Sequence, residues 1–125
     1  MQLLLDTHTL IWWLSNNSTL SEIAKDAIAN TDNLVFVSAA SAWEIAIKKS
    51  LGKLQAPEDL AIQIEAKRFT PLAININHVL AIEKLPSHHQ DLFDRILIAQ
   101  AICENLTLVT RDRKFFAYDI KTIKS

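Results

Sequence analysis

Short apolar runs alternate along this chain with longer stretches in which apolar residues follow a helical period. The apolar runs predict strands at residues 3–5, 34–37, 72–75, 106–109 and 120–123. The periodic stretches predict helices at residues 7–14, 22–30, 39–51, 57–69, 78–84, 92–104 and 112–118. Because strands that alternate with helices pair in parallel and are covered on both faces, we expect an α/β fold. The predicted architecture is a three-layer α/β/α sandwich with a mainly parallel central sheet of four to five strands.

Capping and turn residues mark several boundaries between these elements. Ser21 stands where a helix N-cap is expected, Gly52 stands just past the end of a helix, and Pro57 opens the next one. Residues 86–90 are predicted to form a surface loop. No repeat or linker interrupts the pattern, so we expect residues 1–125 to form a single domain.

The composition indicates a globular protein. Of its 125 residues 50% are hydrophobic, and a chain of this length buries roughly two-thirds of its unfolded surface. No apolar run approaches the roughly 18 residues of a membrane span, and no secretory signal is recognisable, so a cytoplasmic location is expected. The single cysteine, Cys103, has no partner for a disulfide or a zinc site and is expected in the core. The formal net charge of −1 argues against a DNA-coating protein, but it allows an enzyme with a locally basic rim.

Two carboxylates directly follow predicted strands. Asp6 ends the run 3–5, and Asp112 follows the run 106–109 by way of Thr110 and Arg111. Both therefore lie at the carboxyl ends of strands, the edge at which open α/β sheets bind ligands. Each also has a simpler interpretation as the N-cap of the helix that follows it.

Glu44 lies in the helix predicted at residues 39–51. Together with Ser41 and Lys48 it forms the polar stripe of an otherwise apolar helix, and such a stripe faces either water or a site. The alternatives are a capping box with Ser41, or an ion pair with Lys48 worth about 0.3–0.5 kcal/mol.

Asp94 lies in the most apolar helix of the chain, so we expect its carboxylate to be partly buried. A buried carboxylate needs a cation, a metal or hydrogen-bond donors. An ion pair with Arg95 is strained, because adjacent helical residues point about 100° apart. A contact with the helix dipole, with Asp91 as N-cap, is the other alternative.

All four carboxylates map to one rim of the predicted sheet. Clustered acids repel one another and raise each other's pKa unless a cation holds them together. Oxygen ligands favour Mg²⁺ or Mn²⁺, and one ion, or two about 4 Å apart, would suit phosphodiester hydrolysis.

Four short blocks of the sequence resemble the PIN-domain nucleases, and within them the VapC-type toxins of toxin–antitoxin pairs. The blocks are residues 3–8, 38–45, 94–101 and 108–112. They follow one another in the family's order and span the chain from end to end. The resemblance implies an α/β/α sandwich, a Mg²⁺- or Mn²⁺-dependent endoribonuclease activity, a homodimer, and a cognate antitoxin that blocks the site.

Carried over residue by residue, the resemblance makes a metal cluster of Asp6, Glu44, Asp94 and Asp112. Ser38 and Thr110 become candidates for holding a water or a ligating carboxylate by hydrogen bonds.

Basic residues near these acids are candidates for contact with RNA phosphates. They are Lys48, Arg95 and Arg111, with Arg113 and Lys114 nearby. Ordinary solvated surface charge explains any one of them equally well. His88 and His89 could titrate near neutral pH or help to bind RNA, but paired histidines in a loop are more often at the plain surface, and His8 ranks below the carboxylates as a ligand.

The three tryptophans lie in apolar segments and are expected to pack in the core. One of the adjacent pair Trp12 and Trp13 must point differently from the other, and it is a candidate anchor for a dimer or an antitoxin groove.

Two other functions fit parts of the sequence. A phosphatase could use Asp6 as nucleophile, but its strand-end Asp-x-Asp pattern would need an acid where this chain has His8. A non-catalytic binding module would use the acids only as helix caps, and such a module has no reason to gain stability from Mn²⁺.

Overall fold

The computed structural model describes all 125 residues. Its strands are β1 (Gln2–Leu5), β2 (Leu34–Ser38), β3 (Thr70–Leu72), β4 (Thr107–Thr110) and β5 (Thr122–Lys124). Its helices are α1 (Thr7–Leu14), α2 (Glu22–Ala29), α3 (Ala39–Ser50), α4 (Leu60–Ala66), α5 (Ile76–Ile82) and α6 (Leu92–Glu104). A 3₁₀ helix, Arg113–Ala117, lies between β4 and β5. None of the helices is both long enough and apolar enough to span a bilayer.

The strands form one parallel sheet in the order β3-β2-β1-β4-β5. The predicted fold class is therefore confirmed. In the register of the sheet, Leu5 of β1 pairs with Val37 of β2 on one side and with Val109 of β4 on the other. The residues that follow these three strands consequently meet at one edge.

The central strand is buried on both faces, as its unbroken apolar sequence predicts. Leu3 and Leu5 pack into one core with residues of α1, α2 and α4, whereas Leu4 packs into a second core built largely from α6. All three leucines are completely buried, and each stabilises the fold by roughly 1.5–3 kcal/mol relative to an exposed position. This double burial makes β1 a rigid base for the residue that follows it.

Several element boundaries differ from the prediction, because tertiary contacts decide them. Helix α4 begins at Leu60 and not at Pro57, since Lys49 holds the preceding segment through the Pro57 carbonyl and the Glu58 carboxylate, each at 3.1 Å. Strand β3 lies at Thr70–Leu72 and overlaps the predicted run 72–75 only at Leu72, because Asn75 forms a capping box with His78 that starts α5.

Two predictions of core positions are wrong. Cys103 is exposed, because burial on α6 extends only over residues 96–101 and the last turn faces solvent. Trp43 is 46% exposed and packs edge-on against Phe93 at the surface, with ring centroids 5.0 Å apart.

Candidate active site

A polar cavity of about 290 Å³ opens at the edge where β1, β2 and β4 end. The four predicted metal ligands all line it, as does the predicted RNA contact Lys48. The full lining is Asp6, Thr7, His8, Glu44, Lys48, His89, Asp91, Asp94, Asp112, Lys114 and Phe115. Folding thus brings together carboxylates that are up to 106 positions apart in the sequence.

Asp6 is held at both carboxylate oxygens. Its Oδ1 accepts the Thr9 backbone N–H at 2.8 Å and so caps α1, while its Oδ2 accepts the Thr110 hydroxyl at 2.6 Å. Only 7% of the residue is exposed. Asp6 therefore both caps α1 and lines the cavity. The hydrogen bond predicted for Thr110 is present.

Glu44 is buried and has one donor on each oxygen. The Thr7 hydroxyl donates to Oε1 and the Lys48 ammonium donates to Oε2, both at 2.6 Å. The hydrogen bond between Lys48 and Glu44 raises the pKa of Lys48, and the negative charges of Glu44, Asp91 and Asp94 act in the same direction. Lys48 therefore stays charged. Glu44 therefore forms the predicted ion pair with Lys48 and also lines the cavity.

The capping-box alternative for Glu44 is wrong. Helix α3 begins one residue after Ser38, whose hydroxyl accepts the Ala40 backbone N–H at 3.0 Å. Ser41 thus lies inside the helix, and its buried hydroxyl has no hydrogen-bond partner. Ser38 serves as the N-cap and does not line the cavity, so no contact with a carboxylate supports its predicted role.

Asp94 is partly buried, as expected, with 19% of its side chain exposed. Burial is the largest cause that raises its pKa, and together with the negative charges of Asp91, Glu44, Asp6 and Asp112 it brings the pKa to about 8. Asp91 is the N-cap of α6, since its Oδ1 accepts the Asp94 backbone N–H at 3.0 Å. The cavity therefore disfavours a further negative charge and would favour a cation.

Asp112 completes the acidic wall of the cavity. Its Oδ1 accepts the Lys114 backbone N–H at 3.0 Å and caps the 3₁₀ helix. Its own backbone N–H donates to the Thr110 hydroxyl at 3.2 Å. Thr110 consequently links Asp6 and Asp112, the acids at the ends of neighbouring strands.

The sequence did not reveal the positions of Thr7 and His89. His89 is 4% exposed, in contrast to the surface position expected for it, and its Nε2 lies 2.7 Å from Asp94 Oδ2 and 3.6 Å from Asp112 Oδ2. The signal for Thr7 was its place directly after Asp6. For His89 the signal was its place two residues before the N-cap of the helix that carries Asp94.

Two predicted RNA contacts lie outside the cavity. The Arg95 guanidinium donates to the carbonyl oxygens of Ile82, Leu85, Pro86 and His89 at 3.0–3.4 Å. Arg111 lies over the Trp12 ring, 4.4 Å from its centroid, and donates to the Thr19 carbonyl at 2.6 Å. No contact therefore supports the predicted phosphate-binding role of Arg95 or Arg111, since neither lines the cavity and both donate to backbone carbonyls.

Comparison with known proteins identifies the class of protein to which this fold and this acidic cavity belong. The PIN domain family model matches residues 3–121, and the chain belongs to the PIN domain family. The resemblance seen in the sequence is thereby confirmed.

A more specific relative is ribonuclease VapC22 of Mycobacterium tuberculosis, to which the chain is 31% identical over 118 residues, covering 89% of this chain and 87% of that protein. The fold is similar to that of VapBC2 from Rickettsia felis, bound to a DNA fragment from its promoter, with a TM-score of 0.73, 16% identity and 98% of each chain covered. It is also similar to VapBC-1 from nontypeable Haemophilus influenzae, with a TM-score of 0.69, 23% identity, and 98% of this chain and 97% of that chain covered.

Proposed function

We propose that this protein is a Mg²⁺- or Mn²⁺-dependent endoribonuclease and the toxin of a toxin–antitoxin pair. The observation that carries the proposal is the convergence of Asp6, Glu44, Asp94 and Asp112 on one cavity at the carboxyl edge of the sheet. The similarity to ribonuclease VapC22 supports RNA as the substrate. Residues 1–125 act as a single nuclease domain in the cytoplasm under this proposal.

The residues of the cavity fit a hard divalent cation. The five acids of the cavity offer carboxylate oxygens, which Mg²⁺ and Mn²⁺ prefer, beside the imidazoles of His8 and His89, and no thiolate lines the cavity. The raised pKa of Asp94 supports the same conclusion, because burial, and after it the neighbouring acids, disfavour a negative charge there unless a cation offsets it. A bound Mg²⁺ or Mn²⁺ supplies an activated water and neutralises charge on the phosphodiester oxygens.

The protein's own groups orient these ligands and bind the substrate. Thr110 fixes Asp6, and Thr7 and Lys48 fix Glu44, so two of the carboxylates are held before any substrate arrives. Lys48 and Lys114 place positive charge beside the acids, where it attracts the phosphates of RNA. They take the place of Arg95 and Arg111 in the predicted basic rim.

The proposed partners are an RNA substrate, a cognate antitoxin and a second copy of the chain. The similarity to VapBC structures supports the antitoxin. Exposed apolar side chains on α3 and directly after it, including Trp43 and Leu51, are suited to a protein interface.

The test is cleavage of a panel of labelled cellular RNAs with Mg²⁺, with Mn²⁺ and with EDTA. We compare the wild type with the Asp6→Asn, Asp94→Asn double variant, and with Asp32→Asn as a control, because Asp32 is exposed and lies outside the cavity. We expect cleavage that needs the metal and both acids and that survives in the control. If the folded wild type cuts no RNA and Mn²⁺ does not change its melting temperature, the result would favour a non-catalytic binding module.

A further inference from the structure

Three aromatic rings line the acidic cavity, and they differ in how accessible they are to a ligand. They belong to His8, His89 and Phe115. His89 is 4% exposed and Phe115 is 1% exposed, so neither ring offers a free face to a molecule in the cavity. His8 is exposed and lies in the first turn of α1, two residues after Asp6. It is therefore the one ring of the cavity wall on which a flat group of a ligand could stack.

The His8 ring packs against Trp12, which lies one helical turn further along α1. The two ring centroids are 5.9 Å apart and the ring planes are inclined by 45°. This separation lies within the range of about 4.5–7 Å that is typical of attractive aromatic pairs. Trp12 is partly buried and packs against the core that contains Leu3 and Leu5. It thus connects the exposed His8 ring to the interior of the protein.

Arg111 holds the Trp12 ring in place. Its guanidinium carbon lies 4.4 Å from the centroid of the ring, which is a cation–π contact. The guanidinium also donates to the backbone oxygens of Thr19 and Ser125, so it is itself anchored to two other segments of the chain. The support of the His8 ring is therefore ordered before any ligand binds, which reduces the entropy lost on binding.

Resting on the proposed function, we propose that His8 stacks on a base of the RNA next to the phosphodiester that is cut. Trp12 and Arg111 act as positioning residues that support its ring. Because every base has a flat face, such stacking tolerates any base, but it needs a base that is free of its own partners. The substrate class that follows is single-stranded RNA, or the loops and bulges of a folded RNA.

The place of His8 in the cavity suits a base that adjoins the cut. His8 lines the same cavity as Asp6, so a phosphodiester held by the acids would bring a neighbouring base to the ring. Lys48 and Lys114 supply positive charge for the phosphates, but no other exposed aromatic residue lines the cavity. Stacking on the base therefore falls to His8.

A role as metal ligand is the competing explanation for His8. A histidine that binds a metal usually donates its second ring nitrogen to a carboxylate or a carbonyl, and this hydrogen bond orients the ring. The His8 ring is oriented by its contact with the Trp12 ring instead. His8→Phe distinguishes the two roles, because this variant keeps a flat ring but has no nitrogen to bind a metal.

The experiment uses an RNA that the wild type cuts, shortened to a single-stranded segment around the cut site. In separate copies of this segment, each nucleotide within two positions of the cut is replaced by an abasic ribose. We expect one abasic position to raise the KM of the wild type by at least about 5-fold, with a smaller change in kcat, because the stacked base contributes to binding.

Three variants test whether that base stacks on His8. His8→Ala should raise KM for the intact RNA by a similar factor, and the abasic position should then raise it no further, because both changes remove the same contact. His8→Phe should keep KM within a few fold of the wild type. His88→Ala is the matched control, since His88 is an exposed histidine that packs against Tyr118 outside the cavity. Its KM and its response to the abasic position should be those of the wild type.

The outcomes separate this inference from the proposed function. A wild type that cuts no RNA overturns the proposed function, and this inference with it. A wild type that cuts RNA but responds to no abasic position overturns the stacking alone, and this measurement does not depend on any variant that folds poorly. Additive effects of His8→Ala and the abasic position would also overturn it. If His8→Phe is as impaired as His8→Ala, a ring nitrogen is needed and His8 is assigned to the metal.

Discussion

The hydroxyl of Thr110 donates to Oδ2 of Asp6 at 2.6 Å and joins the ends of two neighbouring strands. The same hydroxyl oxygen accepts the backbone N–H of Asp112 at 3.2 Å. One buried side chain thus connects the first and the last acid of the cavity. The parallel pairing of β1 with β4 makes this contact possible, because it aligns the carboxyl ends of both strands.

Replacement of Thr110 by valine is expected to destabilise the protein by about 1–3 kcal/mol. Valine has the shape of threonine but leaves Asp6 Oδ2 and the Asp112 N–H without their partner. Urea unfolding measures the loss, and Thr110→Ser, which keeps the hydroxyl, is the matched control. Equal stabilities of the serine and valine variants would show that the hydrogen bond contributes nothing.

Asp94→Asn is expected to stabilise the metal-free protein, and more so at pH 8 than at pH 5. The pKa of Asp94 rises from 3.8 to about 8 on folding, so the folded state binds this proton more tightly. The free energy of unfolding of the wild type therefore falls as pH rises between these two values. Asparagine has no proton to lose, and the gain at pH 8 is on the order of a few kcal/mol.

Urea unfolding in EDTA at both pH values measures this effect. Asp32→Asn is the control, since Asp32 is exposed and lies outside the cavity. The raised pKa of Asp94 would be contradicted if the free energies of unfolding of Asp94→Asn and the wild type differed by the same amount at pH 5 and pH 8.

Lys48→Met is expected to weaken RNA binding and to destabilise the protein. The Lys48 side chain is 41% exposed but that of its partner Glu44 is only 5% exposed, so the variant leaves a buried carboxylate with Thr7 as its one remaining donor, at a cost of about 1–3 kcal/mol. The positive charge of Lys48 attracts RNA phosphates and its ammonium also holds Glu44, so we expect KM for RNA to rise several fold and kcat to fall as well. Steady-state cleavage tests this, with Lys53→Met as the control because Lys53 is exposed and away from the cavity. An unchanged KM would remove Lys48 from the proposed basic rim.

Tyr118→Phe is expected to loosen the loop that carries His89. The variant keeps the ring but removes the hydroxyl that accepts from the His89 N–H and donates to the Pro86 carbonyl. We expect a loss of about 1–3 kcal/mol and faster hydrogen exchange at the His89 amide. Phe116→Ala, at an exposed aromatic nearby in sequence, should leave this exchange rate unchanged. Exchange at His89 that is as slow in Tyr118→Phe as in the wild type would show that Arg95 holds the loop alone.

Ser41→Ala and Ser38→Ala are expected to change stability in opposite directions. Ser38 caps α3, and its loss should destabilise the protein by about 1 kcal/mol. Ser41 has a buried hydroxyl without a partner, so alanine should leave stability unchanged or raise it by about 0.5–1 kcal/mol. Thermal unfolding of the two variants distinguishes these positions. A destabilised Ser41→Ala variant would show that the Ser41 hydroxyl makes a stabilising contact after all.

The sequence by itself determined the order of the elements and the edge of the sheet at which the acids meet. Apolar periodicity is a local property of the chain, and parallel pairing then places the residues after β1 and β4 side by side. Asp6 and Asp112 were therefore predictable from their places at strand ends. The partial burial of Asp94 followed in the same way from the apolar surroundings within its own helix.

Only the tertiary structure decided which polar groups from distant parts of the chain contact one another. Arg95 was expected to contact phosphates, yet it binds carbonyls of a loop that is folded back against α6. His89 was expected at the surface, yet that same loop buries it beside Asp94. Local sequence patterns do not encode the distance between the residues that make such contacts. This distance depends on how a loop packs against the folded sheet and helices.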